Sequence, residues 1–214
     1  MLWAYKDLIV SRTIYIIRRV SKRAHSSART RLLAAAEDML REVGMAGTGI
    51  KDVVARSGAP IGSLYHYFPG GKAQLVSESV QINADKSRRL LSRFFDGKQT
   101  GAAALRSLFH TAADGFERAG GNKGCAVGAV TLDLMPEDAA LRDICKSTFD
   151  DWVAIVAPCV PFADERARRG FATTAVAALE GAFVLAKAAR SGEPFRQVGD
   201  SLAAMISGTT RTRR

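Results

Sequence analysis

Between Ile61 and Lys72 the sequence collects Ser63, Tyr65, His66, Tyr67 and Lys72 on one short segment. Hydroxyls, an imidazole and an ammonium can bond phosphate oxygens, while tyrosine rings pack on sugars and thymine methyls. Ile61, Gly62 and Ser63 lead that segment. An apolar group, a residue without a side chain and a short hydroxyl suit a thymine methyl, a close backbone approach and a base edge respectively. This is recognition chemistry rather than bond-making chemistry. The pair that could act as nucleophile and base, Cys125 and His110, is bracketed by no activating motif, and no glycine-rich phosphate loop accompanies it. Asp133, Glu137 and Asp138 lack metal-ligand spacing relative to His110. The three cysteines, Cys125, Cys145 and Cys159, match no CxxC pattern and leave an odd thiol in any disulfide scheme, which fits a reducing cytoplasm. Catalysis, a metal and a cofactor are accordingly not expected.

The elements that must position these residues read as helices. Leu32, Leu33, Ala36, Met39, Leu40 and Val43 recur at steps of three and four, predicting a helix over 27–43 that Ser26 or Ser27 caps and Gly44 ends. Thr48 is the expected cap of a short second helix carrying Ile50, Val53 and Val54. Ser57-Gly58-Ala59-Pro60 makes a tight turn, Pro60 suits the first turn of a third helix over 61–68, and Leu64 and Phe68 are its inward anchors. Pro69-Gly70-Gly71 stops it, and a long helix follows from Lys72 to about Phe95. Two short helices joined by a tight turn and stacked on a longer first one form a helix-turn-helix, whose second helix fits the DNA major groove. The start of the second helix, with Thr48, presents free N–H groups to a phosphate. The expected DNA contacts are therefore Arg29, Thr48, Lys51, Ile61, Gly62, Ser63, Tyr65, His66, Tyr67 and Lys72.

Charge agrees with that placement. The 214 residues carry a net charge of +10, and residues 1–72 hold 12 basic against 5 acidic side chains while the remainder is nearly balanced. A basic third joined to a nearly balanced remainder suggests that one part meets a polyanion, either nucleic acid or an anionic membrane surface, and charge alone does not choose between them. With 47% hydrophobic and 24% charged residues the chain is neither wholly disordered nor fibrous. Further helical patterns recur at about 102–118, 125–134, 138–157, 164–190 and 195–207, and no period-two strand appears, so the fold class is all-α. Apolar residues near the N-terminus are broken by Lys6, Asp7, Arg12, Arg18 and Arg19, so no export signal is expected. Residues 1–25 are set apart as an extension, with translation expected to begin at Val20, and 209–214 as a basic tail. No uncharged stretch reaches the ~20 residues of a membrane span.

The stretch from Thr48 to Leu75, TGIKDVVARSGAPIGSLYHYFPGGKAQL, resembles the DNA-binding signature of TetR-type bacterial transcriptional regulators. Leu64-Tyr65-His66-Tyr67-Phe68 stands where that family usually has leucine, tyrosine, tyrosine, histidine, phenylalanine. This departure, Pro69-Gly70-Gly71-Lys72 where one fewer residue is common, and Gly124-Cys125-Ala126-Val127-Gly128 are similar to the LmrA/YxaF-like branch. The resemblance implies a helix-turn-helix domain over 26–76 and a helical effector-binding and dimerisation domain over 77–208. It further implies an internal cavity, for which Leu105, Phe109, Phe116, Met135, Trp152 and Phe183 are the expected lining. It implies a homodimer too, through the small-residue stripe Ala172, Ala175, Val176, Leu179, Phe183 and Ala186 with Leu202, for which burial inside one chain is the competing account. The implied function is a repressor that binds a palindromic double-stranded operator as a dimer, away from any membrane, and is released by a small hydrophobic or aromatic effector. Two other readings remain: an architectural DNA binder without an effector, and an enzyme built on Cys125.

Overall fold

The computed structural model describes residues 27–211. The extension over 1–25, Ser26 and the last three residues of the basic tail lie outside the described residues. Among the described residues the chain forms nine α-helices and one 3-10 turn, with no strand. We number them α1 Ala28–Val43, α2 Ile50–Ser57, α3 Ile61–Tyr67, α4 Gly71–Phe94, α5 Gly101–Arg118, α6 Ala126–Leu132, α7 Ala139–Val156, α8 Glu165–Ala189 and α9 Glu193–Arg211, with the 3-10 turn at Ala157–Cys159 after α7. The last helix runs into the segment expected to be a tail.

Local chemistry explains the head. Ser27 Oγ accepts from the Thr30 amide at 3.2 Å, satisfying one of the free donors that open α1. Gly58, at φ +63°, turns α2 into α3 in the left-handed region that a side chain disfavours, and its amide closes onto the carbonyls of Val54 and Ala55. Pro60 caps α3 from outside instead of sitting in its first turn. Leu32, Leu33, Ala36, Met39, Val53, Leu64, Phe68 and Leu75 then close one small core. Leu40 belongs to the other core, and Val43, expected on the buried face, is exposed because α1 runs past the head at that point.

The long α4 joins the two cores, with Leu75 in the head and Val76 and Val80 in the body. The body packs α5 against α9 and α7 against α8, around Phe109, Phe116, Trp152 and Phe195. Here the expected dimer stripe needs correction. Ala172, Ala175, Val176, Leu179 and Ala186 of α8, and Leu202 of α9, are buried inside the single chain, and Phe183 is half-buried against Phe195. The alanines let α8 lie close against its own body, and of these residues only the half-buried Phe183 keeps part of its side chain accessible. Outward, α8 shows Gly170, Thr174, Ala177, Gly181, Val184 and Ala188.

Candidate nucleic-acid interface and internal cavity

α3 is held by its two anchors and turns its other side to solvent. Leu64 and Phe68 are fully buried, while Ile61 and Tyr65, one turn apart, are about half exposed and His66 and Tyr67 stand beside them. The His66 ring meets Tyr67 edge-on at 4.8 Å, which stiffens the pair. Gly62 lies on the same outer side, and a Cβ built there would meet nothing within 4 Å. Ser63 is half-buried, its amide donating to the Pro60 carbonyl at 2.9 Å. Lys51 at the start of α2 is exposed and Lys72 at the start of α4 is half-buried. Arg29 also braces the head: it pairs with Glu78 of α4 and lies 5.5 Å over the Phe68 ring, tying α1 to the elements that follow it.

Thr48 departs from its expected place. It is 1% exposed, and its hydroxyl donates to the Gly44 carbonyl at 2.6 Å, closing the α1–α2 turn. Gly49 occupies the cap position without a side-chain bond, so Thr48 has no hydroxyl to offer a phosphate. Arg31, another basic residue beside the motif, donates to the Ser57 carbonyl at 3.2 Å and braces the turn.

Within the body, a cavity of about 430 Å³ lies between the C-terminal part of α1, α4, α5, the start of α6, Trp152 of α7 and α8. Phe116, Trp152 and Phe183 line it, with Leu91, Leu108 and Leu179. Leu105 and Phe109 do not: both are fully buried on the face of α5 turned to α9, where Phe109 lies against Gly199. Met135 does not either, because the α6–α7 connection carries it to the surface, 55% exposed. A second space of about 610 Å³ shares Arg41, Gly124, Cys125, Glu180 and Phe183 with the first and opens past Phe149, Leu132 and Val184.

The residue that sequence reading missed is Glu180. It is the only charged residue between Arg169 and Lys187, a signal legible in the sequence, and it sits in the wall between the two spaces. Burial pushes its carboxyl up to about 7, partly offset by a hydrogen bond from Cys125. Burial, and then the Glu180 charge, hold the Cys125 thiol well above its usual range. Gly128 makes room for the carboxylate, since a Cβ there would come within 2.1 Å of Glu180 Oε2. A protonated thiol is a poor nucleophile, and His110, its would-be base, is instead bonded to Asp200 at 3.2 Å.

Head and body are joined beside this cavity. The Gly124 amide donates to the Arg41 carbonyl at 2.8 Å, and Arg41 Nε donates back to the Gly124 carbonyl at 3.0 Å. The Ala46 amide donates to Asp133 Oδ2 at 2.9 Å, Lys187 Nζ to the Glu42 carbonyl at 2.8 Å, and Lys123 pairs with Asp38 at 2.9 Å.

Known proteins share both halves of this arrangement. Residues 32–78 match the family model for bacterial regulatory proteins of the tetR family, and residues 101–201 match that for transcriptional regulator LmrA/YxaF-like, C-terminal domain. An HTH-type transcriptional regulator of Mycobacterium tuberculosis is 30% identical over 197 residues, covering 86% of this chain and 98% of the relative. The HTH-type transcriptional regulator YxaF of Bacillus subtilis is 26% identical over 186 residues, covering 86% and 97%. The regulatory protein TetR from Rhodobacter sphaeroides has the same fold, with a TM-score of 0.75 at 24% identity over 84% of this chain and 98% of that one. So does the TetR family regulator CifR, solved as a cysteine mutant with a 26-base-pair operator, with a TM-score of 0.72 at 20% identity over 84% and 97%.

Proposed function

Because this chain belongs to the TetR family of bacterial transcriptional regulators, in its LmrA/YxaF-like branch, we propose that it represses from a palindromic operator as a homodimer and leaves when a small effector enters the cavity beside Phe116, Trp152 and Phe183. The observation that carries this reading is the two-sidedness of α3: Leu64 and Phe68 are locked in the head's core while Ile61, Gly62, Tyr65, His66 and Tyr67 face outward. Major-groove helices have this construction, rigid on one side and free on the other. Lys51 and Lys72 flank it and supply phosphate contacts. The CifR complex with operator DNA supports the same mode of use.

The homodimer reading rests on α8. By length and by a mean hydropathy of 1.4 over its most apolar window, α8 matches a membrane span. Glu180 interrupts it, however, and one face is already packed in the body. The face left over, Gly170, Thr174, Ala177, Gly181, Val184 and Ala188, is small and apolar, which suits close helix packing against the same face of a second copy.

Release by effector follows from shared walls. Arg41 and Gly124 line the cavity and also form the paired contact between head and body. A ligand that fits one setting of this contact better than the other shifts the head, and effector and operator weaken each other by one common factor. Selecting DNA fragments retained by the purified protein tests the whole reading. The expected result is a twofold-symmetric consensus whose binding falls on adding a cavity ligand. Retention of all sequences alike, with steep salt dependence, would point to architectural packing of DNA instead.

A further inference from the structure

Resting on the reading that the cavity receives the effector, we infer that this effector is an apolar molecule bearing a protonated amine, which pairs with Glu180 in the cavity wall. Glu180 Oε1 is buried and has no hydrogen-bond partner among the described residues. Trp152, 2% exposed and lining the same cavity, holds an indole N–H that likewise has none. Two unpaired polar atoms of opposite character in the wall of an apolar space cost stability unless something brings them partners. Gly128 leaves free the volume that the carboxylate occupies, so the neighbouring backbone is fitted to this acid.

The cation that would ordinarily accompany such an acid is not supplied by the described residues. Arg41 of α1 bonds the Gly124 carbonyl, Lys86 of α4 pairs with Glu37 of α1, and Lys187 of α8 bonds the Glu42 carbonyl. Arg118 of α5 lines the cavity without an ion pair to Glu180, Trp152 of α7 brings no charge, and Cys125 faces the acid as a neutral thiol. A neutral hydroxyl on the ligand would occupy one lone pair and leave the charge uncompensated, whereas an ammonium answers both needs, and an acceptor beside it can take the indole N–H.

This assignment carries a proton signature. Burial pushes Glu180 up to about 7, and an ammonium binds only its ionised form well. Amine affinity should therefore rise as pH climbs through about 7, with a proton released on binding below that point. Calorimetry on the full chain with 1-naphthylmethylamine and 1-naphthylmethanol, at about pH 6 and pH 8, tests it. The amine should bind at least tenfold tighter than the alcohol at pH 8, the preference should shrink at pH 6, and only the amine should weaken operator binding. Glu180→Gln, checked for an intact melting transition, should bind both probes alike. The wild-type pair is decisive even if that variant does not fold. Equal or tighter binding of the alcohol overturns the amine assignment and leaves the cavity reading standing. If neither probe binds or moves operator affinity, the cavity reading falls and the assignment with it.

Discussion

Gly62 and Glu180 each stand where a different residue would serve the isolated fold better, and each gives a prediction. A methyl at Gly62 meets nothing within 4 Å, and alanine is favoured over glycine in a helix by about 1 kcal/mol. Gly62→Ala should leave the melting temperature unchanged or raise it, yet weaken operator binding at least tenfold, because the methyl enters the gap between α3 and the base edges. Fluorescence anisotropy with labelled operator measures this, and unchanged affinity would remove Gly62 from the interface. For Glu180 the sign runs against most carboxylates. Its pKa is raised from 4.5 to about 7, so the folded chain holds the proton more tightly than the unfolded chain. That advantage is complete below the unfolded value and is lost as pH rises to about 7, a difference on the order of 3 kcal/mol. Glu180→Gln should therefore be more stable than wild type in urea at pH 8 and close to it at about pH 4.5. An equal offset at both values would mean that the carboxylate is not held out of water.

The element that connects the two sites is the C-terminal part of α1 with the turn after it, pinned to the body by Gly124, Asp133 and Lys187. Asp133 is neither on the DNA face nor among the residues that line the two spaces, so Asp133→Ala tests the connection. Losing one such bond is worth about 1 kcal/mol, roughly fivefold. The ratio of operator affinities without and with saturating effector should fall by about that factor while effector affinity for the DNA-free protein changes little, and an unchanged ratio would place the coupling elsewhere. Element boundaries of this kind were legible in the sequence where a local device sets them: Ser27 and Gly44 bound α1, and Gly58 makes the turn before α3. Thr48 has the sequence position of a cap, a threonine before a helix, whereas the α1–α2 turn puts the Gly44 carbonyl within its reach. The stripe on α8 has the spacing of a packed face, but this helix is apolar on two sides, and periodicity does not say which side its own body takes. The bulkier stripe, with Val176 and Leu179, went inward. Leu105 and Phe109 failed as cavity lining for the same reason: α5 is apolar toward both α9 and the cavity, and spacing alone does not divide them.

At the scale of the molecule, one chain offers a single short recognition helix, which contacts only a few base pairs, and specificity of a useful size needs two. In the proposed homodimer the outward face of α8 would meet its counterpart, and Gly181 probes it, since a side chain there meets nothing within 4 Å among the described residues and would project from that face. Gly181→Arg should keep its helical content and sediment as a monomer, with operator affinity reduced more than a hundredfold. A variant that remains dimeric would assign the interface to another face. The operator can be varied against the same geometry. In a rigid dimer the two copies of α3 meet major grooves on one side of the duplex, a full helical turn of about 10 base pairs or a multiple of it apart. Inserting about 5 base pairs between half-sites rotates one groove to the far side, so wild-type affinity should collapse toward that of a single half-site. Gly181→Arg binds through one head alone and should not distinguish the two spacings. Equal sensitivity of monomer and dimer to the insertion would mean that the paired-head account of recognition is wrong, whatever the fold of each head.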